Sequence, residues 1–163
     1  MAPDGSVYIS DGDLNSVTGY LASFDAGLTT KNAHLSYYPG TNSGSSRHYF
    51  RDISVGNDFV IAVGQTYLND LPVTPGAYDS TCGTDGDCNN ISTSFYIPKP
   101  DGFVGKYSLD LQTTQALTYF GASDNDIVQS VWVDGAGGIV IAGDTYSPDL
   151  PTTANAHDNS CGD

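Results

Sequence analysis

Two short stretches alternate oxygen-bearing side chains in a way that suits a hard cation. They are Asp85-Gly86-Asp87-Cys88-Asn89 and Asp11-Gly12-Asp13-Leu14-Asn15. Both fit D-x-D-x-N, with a glycine that lets the chain turn between ligands. Calcium takes 6–8 oxygens at about 2.3–2.6 Å and is the natural occupant of such a loop. The candidate ligands are Asp85, Asp87, Asn89, Asp11, Asp13 and Asn15. The chain contains no Glu, so the bidentate ligand that closes an EF-hand is missing, and a further Asp or backbone carbonyls must replace it. The same residues also make turns with no metal at all, and the pattern fits both readings. Asp124-Asn125-Asp126 is a third acidic loop, read as a solvated turn.

Other chemistry is sparse. His34, His48 and His157 stand alone, with no spacing for zinc. There is no nucleophile elbow, phosphate-binding loop or dinucleotide fingerprint. Two aspartates are enough for a glycosidase, yet 19 acidic residues leave no particular pair singled out. Trp132, in the run Val-Trp-Val, reads as a core residue rather than a sugar platform. Asn90-Ile91-Ser92 is a formal glycosylation sequon, read as a chance match. The expectation is therefore a protein that is not an enzyme.

Charge narrows the partners. Only 5 Lys and Arg oppose 19 Asp in 163 residues, a formal charge of −14. Nucleic acid and anionic membranes would be repelled, and no apolar run is long enough to cross a bilayer. The start, MAPDGSVYIS, has neither the basic nor the apolar region of a signal peptide.

Cys82 and Cys88 bracket a tight loop. A disulfide between them is geometrically reasonable, and two free thiols are the other reading. A bridge would place maturation in an oxidising compartment.

The elements that carry these residues are short strands. Ser6–Ser10, Tyr20–Phe24, Leu35–Tyr38, Phe103–Tyr107, Leu117–Phe120 and Val131–Val133 are rich in β-branched and aromatic residues. Phe59–Val63 and Ile139–Ala142 are continuously apolar, which predicts strands buried on both faces. Asp-Gly, Gly-Gly and Pro-Gly pairs separate them, and no segment has a helical period. The chain also spells one loop twice. Gly64–Gly83 and Gly143–Gly162 agree at 11 of 20 positions, including Asp70-Leu71-Pro72, Asp79 and Cys82. Gly19–Gly40 and Gly102–Gly121 correspond as well. Such self-similarity marks repeated supersecondary units.

Four motifs recur in order. They are Asp4-Gly5-Ser6-Val7-Tyr8-Ile9, Gly102-Phe103-Val104-Gly105-Lys106-Tyr107, Leu117-Thr118-Tyr119-Phe120-Gly121 and Asp70-Leu71-Pro72-Val73-Thr74-Pro75-Gly76-Ala77-Tyr78. This pattern resembles the bacterial seven-bladed β-propeller repeat (SBBP repeat) over nearly the whole chain. The resemblance implies an all-β fold of β-propeller blades, each a four-stranded antiparallel sheet, in an extracellular or cell-surface setting. It implies no reaction.

With strands named A to D, residues 1–45 form a partial blade and 46–123 a complete one with a long B–C loop over 67–101. Residues 124–163 form a second partial blade. A closed propeller needs about four to eight blades, so the chain reads as a segment of a longer polypeptide, or as a unit completed by further copies of itself. Cys161 supports the first reading, because its partner would fall about six residues on, past Asp163. Neighbouring blades or further copies are then the expected partners, with surface glycans a further one. The function expected is a structural or adhesive repeat of a secreted protein or fibre, calcium-stabilised if the loops bind. A glycan-binding propeller and an Asp-dependent hydrolase are the alternatives.

Overall fold

A computed structural model describes residues 2–11, 19–37, 48–84, 86, 88 and 99–160. Nine strands follow in order: β1 (Val7–Asp11), β2 (Gly19–Phe24), β3 (Lys31–Tyr37), β4 (His48–Val55), β5 (Phe59–Thr66), β6 (Asp101–Ser108), β7 (Thr114–Phe120), β8 (Asp126–Val133) and β9 (Ile139–Thr145). No helix occurs among the described residues. The strands make three antiparallel sheets, none closed into a barrel: β1-β2-β3, β4-β5-β6-β7 and β8-β9. Several strands run further than their apolar kernels. Strand β4 begins at His48 and β8 at Asp126, because ladder hydrogen bonds extend pairing past the residues that pattern alone identifies.

The sheets pack face to face, with the four-stranded sheet in the middle. One core joins Leu21, Ala33 and Leu35 of the first sheet to Val60, Ala62, Phe103 and Tyr107 of the central sheet. A second core joins Phe59, Ile61 and Val63 to Val128, Val131 and Ile141 of the third sheet. Alternation along β5 sends odd positions to one neighbour and even positions to the other, so every residue of β5 is buried. That is the expected behaviour of a continuously apolar strand. Its sister β9 departs from the expectation. Most of β9 is exposed, with Val140 at 54%. Only one face of the third sheet meets a neighbour among the described residues.

The internal repeat is built as well as spelled. Ser54 pairs with Ile61 in the central sheet, and Trp132 pairs with Val140 in the third. Both first strands carry a bulge at the matching place, between Phe50 and Asp52 and between Val128 and Ser130. Each bulged residue reaches across to the second strand. The Arg51 guanidinium donates to Gln65 Oε1 at 2.9 Å, and the Gln129 amide donates to Asp144 Oδ2 at 2.9 Å. A bulge pushes a carbonyl towards the partner strand. A Cβ on Gly64 would collide with the Tyr49 carbonyl, and one on Gly143 with that of Ile127, so glycine is required at both positions.

The turns repeat too. Leu28 and Leu111 occupy the left-handed region at φ 56° and 55°, in the β2–β3 and β6–β7 turns. Each donates its N–H to the carbonyl three residues back, Asp25 and Ser108, at 3.0 and 2.9 Å. Left-handed leucine costs about 1–2 kcal/mol, and glycine returns some of that as chain entropy. Leu28 is exposed, so Leu28→Gly is expected to raise stability by about 0.5–1 kcal/mol, read as a higher urea midpoint.

Candidate functional site

The twice-spelled loop laces an edge of the central sheet. From Thr66 the chain runs along β7. Leu71 N–H donates to the Tyr119 hydroxyl at 2.9 Å, and that hydroxyl donates to Leu68 O at 2.6 Å. Thr74 N–H bonds Leu117 O at 3.0 Å, and Tyr119 N–H bonds Asp79 O at 3.1 Å. These bonds cover the outer edge of β7, which would otherwise offer bare backbone groups to another chain. The loop then closes on a disulfide between the fully buried Cys82 and Cys88, with Cα atoms 5.3 Å apart. The expected bridge therefore forms.

The second copy repeats the local turns. Ala77 N–H bonds Thr74 O at 3.0 Å, and Ala156 N–H bonds Thr153 O at 2.9 Å. Thr81 and Ser160 each donate N–H at 2.9 Å to the carboxylate two residues back. The third sheet has no counterpart of β7 among the described residues, and residues 151–160 are almost wholly exposed.

Six residues are anticipated as metal ligands. Asp85, Asp87 and Asn89, like Asp13, Asn15 and Cys161, lie outside the described residues. Of Asp11 only the backbone is described, at the end of β1. Cys82, Cys88 and Asp101 lie close enough together to resemble a ligand set. The two sulfurs are bonded to each other, however, and a metal needs thiolates. This trio is a geometric coincidence.

Two buried carboxylates meet at the seam between the central and third sheets. Asp101 opens β6 and Asp126 opens β8; they are 1% and 2% exposed. Both crowd Gly121, where a Cβ would approach the Asp101 carboxyl carbon to 2.6 Å and Asp126 Oδ2 to 2.9 Å. Asp101 accepts the Gly83 N–H at 2.7 Å, tying the disulfide loop to the sheet. Asp126 Oδ2 accepts the Ala122 N–H and the Ser147 hydroxyl, each at 2.7 Å. Burial pushes the Asp101 carboxyl up to about 7; the Gly83 bond opposes this, and the charges of Asp126 and Asp79 add to it. Asp126 corrects the expectation of a solvated turn at 124–126. It is the first residue of a strand, turned inward, and its Oδ2 accepts from a serine of the loop after β9. Beside it, Lys99 and Asp124 form an ion pair at 3.2 Å, half exposed and worth little.

Asp126 also borders a cleft of about 190 Å³ with Phe120, Ile141 and Leu150 in its walls. Ligand pockets usually run to about 300–1,000 Å³. Asp101 Oδ2 and Asp126 Oδ2 accept backbone and hydroxyl donors, as loop anchors do, while Asp126 Oδ1 is buried with no hydrogen-bond partner among the described residues.

The most regular feature between sheets is a pair of side-chain links. The Val131 N–H donates to Asp52 Oδ2 at 2.9 Å, and the Val133 N–H donates to Ser54 Oγ at 3.1 Å. Asp52 and Ser54 on β4 thus satisfy the free edge of β8. The residues of β8 that match Asp52 and Ser54 in register are Ser130 and Trp132. They point the same way, towards solvent. Trp132 is 60% exposed, which overturns its assignment to the core: the face that Ser54 presents to the third sheet is presented by Trp132 to nothing described. Sequence reasoning missed both this face and the Asp101–Asp126 pair. Register alone reveals the first, and only packing reveals the second.

Comparison with protein-family models finds none that matches the chain, and comparison with curated proteins finds no match.

Proposed function

We propose that the three sheets are successive blades of a β-propeller of the SBBP-repeat kind, and that the chain is a non-enzymatic structural or adhesive segment of a larger secreted or surface protein. One observation carries this reading: each sheet offers its neighbour the same face, through the same positions. Tyr8 and Leu21 of the first sheet match Ile61 and Val104 of the central sheet in register, and each pair faces the following sheet. Head-to-tail stacking of like units is how blades succeed one another. The exposed second lacing loop fits a unit whose outer strands lie elsewhere. No helix among the described residues is long and apolar enough to cross a membrane, and the disulfide is compatible with an oxidising setting outside the cytosol.

The compartment is tested by thiol chemistry on protein from its native source. Recovery outside the cell with Cys82 and Cys88 refractory to alkylation until reduced is the expected result. Recovery in the cytosol with both thiols alkylated directly contradicts it.

Calcium is the proposed stabilising ion, on the strength of the alternating ligands at Asp85-Asp87-Asn89 and Asp11-Asp13-Asn15. Calcium is expected to raise Tm and magnesium to do so only weakly; identical melting in calcium and in chelator removes the claim. A second reading, a glycan-binding propeller, draws on the exposed Trp132. Glycan-dependent quenching of its fluorescence would favour that reading over a purely structural one.

A further inference from the structure

The third sheet ends the described stack on an apolar face. Trp132 and Val140, cross-strand partners, are 60% and 54% exposed, and Ser130 and Ala142 flank them on the same side. The first sheet ends the stack on the opposite kind of face. Ile9, 44% exposed, pairs with Ala22, which is fully buried beneath its neighbours and pairs in turn with the exposed His34; this row points away from the central sheet. In register Ile9 matches Ala62, and Tyr20 and Phe24 match Phe103 and Tyr107. Those central-sheet residues form the surface that sits on the first sheet. The two faces that no described residue covers are therefore the two halves of an interface that the chain already makes twice within itself.

We propose that the Trp132–Val140 face seats the Ile9 face of a second copy of this chain, so that copies join head to tail. The inference rests on reading the sheets as equivalent successive units. Continuity favours a like sheet as occupant, since Ile61 and Tyr8, which match Val140 one and two sheets earlier, are covered by one, and for this chain on its own a second copy supplies that sheet. Such an interface is heterologous: it uses two different patches, so each copy retains one unused patch after pairing. The charge of −14 on every copy opposes the union, and salt screens it.

The test uses the whole chain in about 0.5 M salt, where charges are screened. The protein has a single tryptophan, so emission reports Trp132 alone. Sedimentation velocity is expected to show mass rising with concentration, together with a blue shift of that emission. Trp132→Ser and Ile9→Asp are each expected to be monomeric, at melting temperatures close to the parent. Val140→Ser serves in place of Trp132→Ser if that variant does not fold. An equimolar mixture of Trp132→Ser and Ile9→Asp retains one good patch of each kind, and is expected to form dimers and nothing larger.

A parent that stays monomeric with red-shifted emission overturns the proposal. So does assembly that survives Ile9→Asp unchanged, which means the Trp132 face packs on itself, and so does a mixture that stays monomeric. Protection of the Val131 and Val133 amides, measured on the monomeric variants, separates the two levels. If those amides are protected and copies do not join, the head-to-tail proposal fails alone; if they exchange freely, the stacked-unit reading fails with it.

Discussion

Replacing Gly64 with alanine is expected to cost about 4 kcal/mol or more, a loss found only for disruptions of the core or the backbone. The Cβ lands on the carbonyl oxygen of Tyr49, and an aromatic carbon of Phe103 lies 2.9 Å away. Neither can retreat. The carbonyl belongs to the bulged strand β4, and the Phe103 ring is stacked on His48 with centroids 4.1 Å apart. Gly64 lies in β5, whose residues are all buried between two sheets, so strain there spreads to both cores. At about 2–4 °C per kcal/mol for a chain of this size, Tm should fall by about 10 °C. Gly135→Ala is the control, since nothing lies within 4 Å of the added carbon, and it should change Tm little. Gly143→Ala meets the same collision with Ile127 in the third sheet, and is expected to loosen that sheet first.

Stability is expected to depend on pH through two buried groups that act in opposite directions. His48 is 1% exposed, with the ring of Phe103 against one face and Phe50 edge-on at 5.1 Å. Burial holds its imidazole down to about 3, against an ordinary 6.5. The unfolded chain takes up that proton below about pH 6.5 and the folded chain does not, so this group removes stability as pH falls. Asp101 behaves in reverse. Folded, it keeps its proton up to about pH 7; unfolded, it releases it above about 3.8. It removes stability as pH rises between those values.

Between pH 4 and 6.5 the two slopes oppose each other, and the parent should show a nearly flat urea midpoint. Asp101→Asn is expected to leave the His48 slope, with stability falling towards acid. His48→Phe is expected to leave the Asp101 slope, with stability falling towards neutral. Each slope is bounded at about 1.4 kcal/mol per pH unit. The aspartates whose hydrogen bonds hold them below the ordinary range, such as Asp25, Asp110 and Asp149, act only below about pH 4. A parent profile that either substitution leaves unchanged would refute the corresponding assignment.

What the sequence announced and what it hid divide on physical lines. Strand identity was legible, because alternation and β-branched runs report burial directly: β5 reads as a strand buried on both faces, and it is. The disulfide was legible from Cys82 and Cys88 bracketing a tight turn. Burial of β9 was not, although Ile139–Ala142 is as apolar as Phe59–Val63. Pattern states what a strand can bury against, and only the neighbouring sheet decides whether it does. Trp132 misled for the same reason. Asp126 looked like a turn residue because its partner, Ser147, comes from another loop. The residues whose spacing suggests calcium ligands, Asp85, Asp87, Asn89, Asp13 and Asn15, lie outside the described residues.

If the sheets are successive like units, the third must stack on the central one as the next of them. Amide hydrogen exchange at Val131 and Val133 measures this most directly. Among the described residues both N–H groups lie on the unpaired edge of β8 and are held by Asp52 and Ser54 from the sheet next door. The expected result is strong protection at both, lost at Val131 in Asp52→Ala and at Val133 in Ser54→Ala, while amides within the β8–β9 ladder stay protected. Free exchange at both positions in the parent protein, with that ladder intact, would contradict the stacking of the third sheet on the central one.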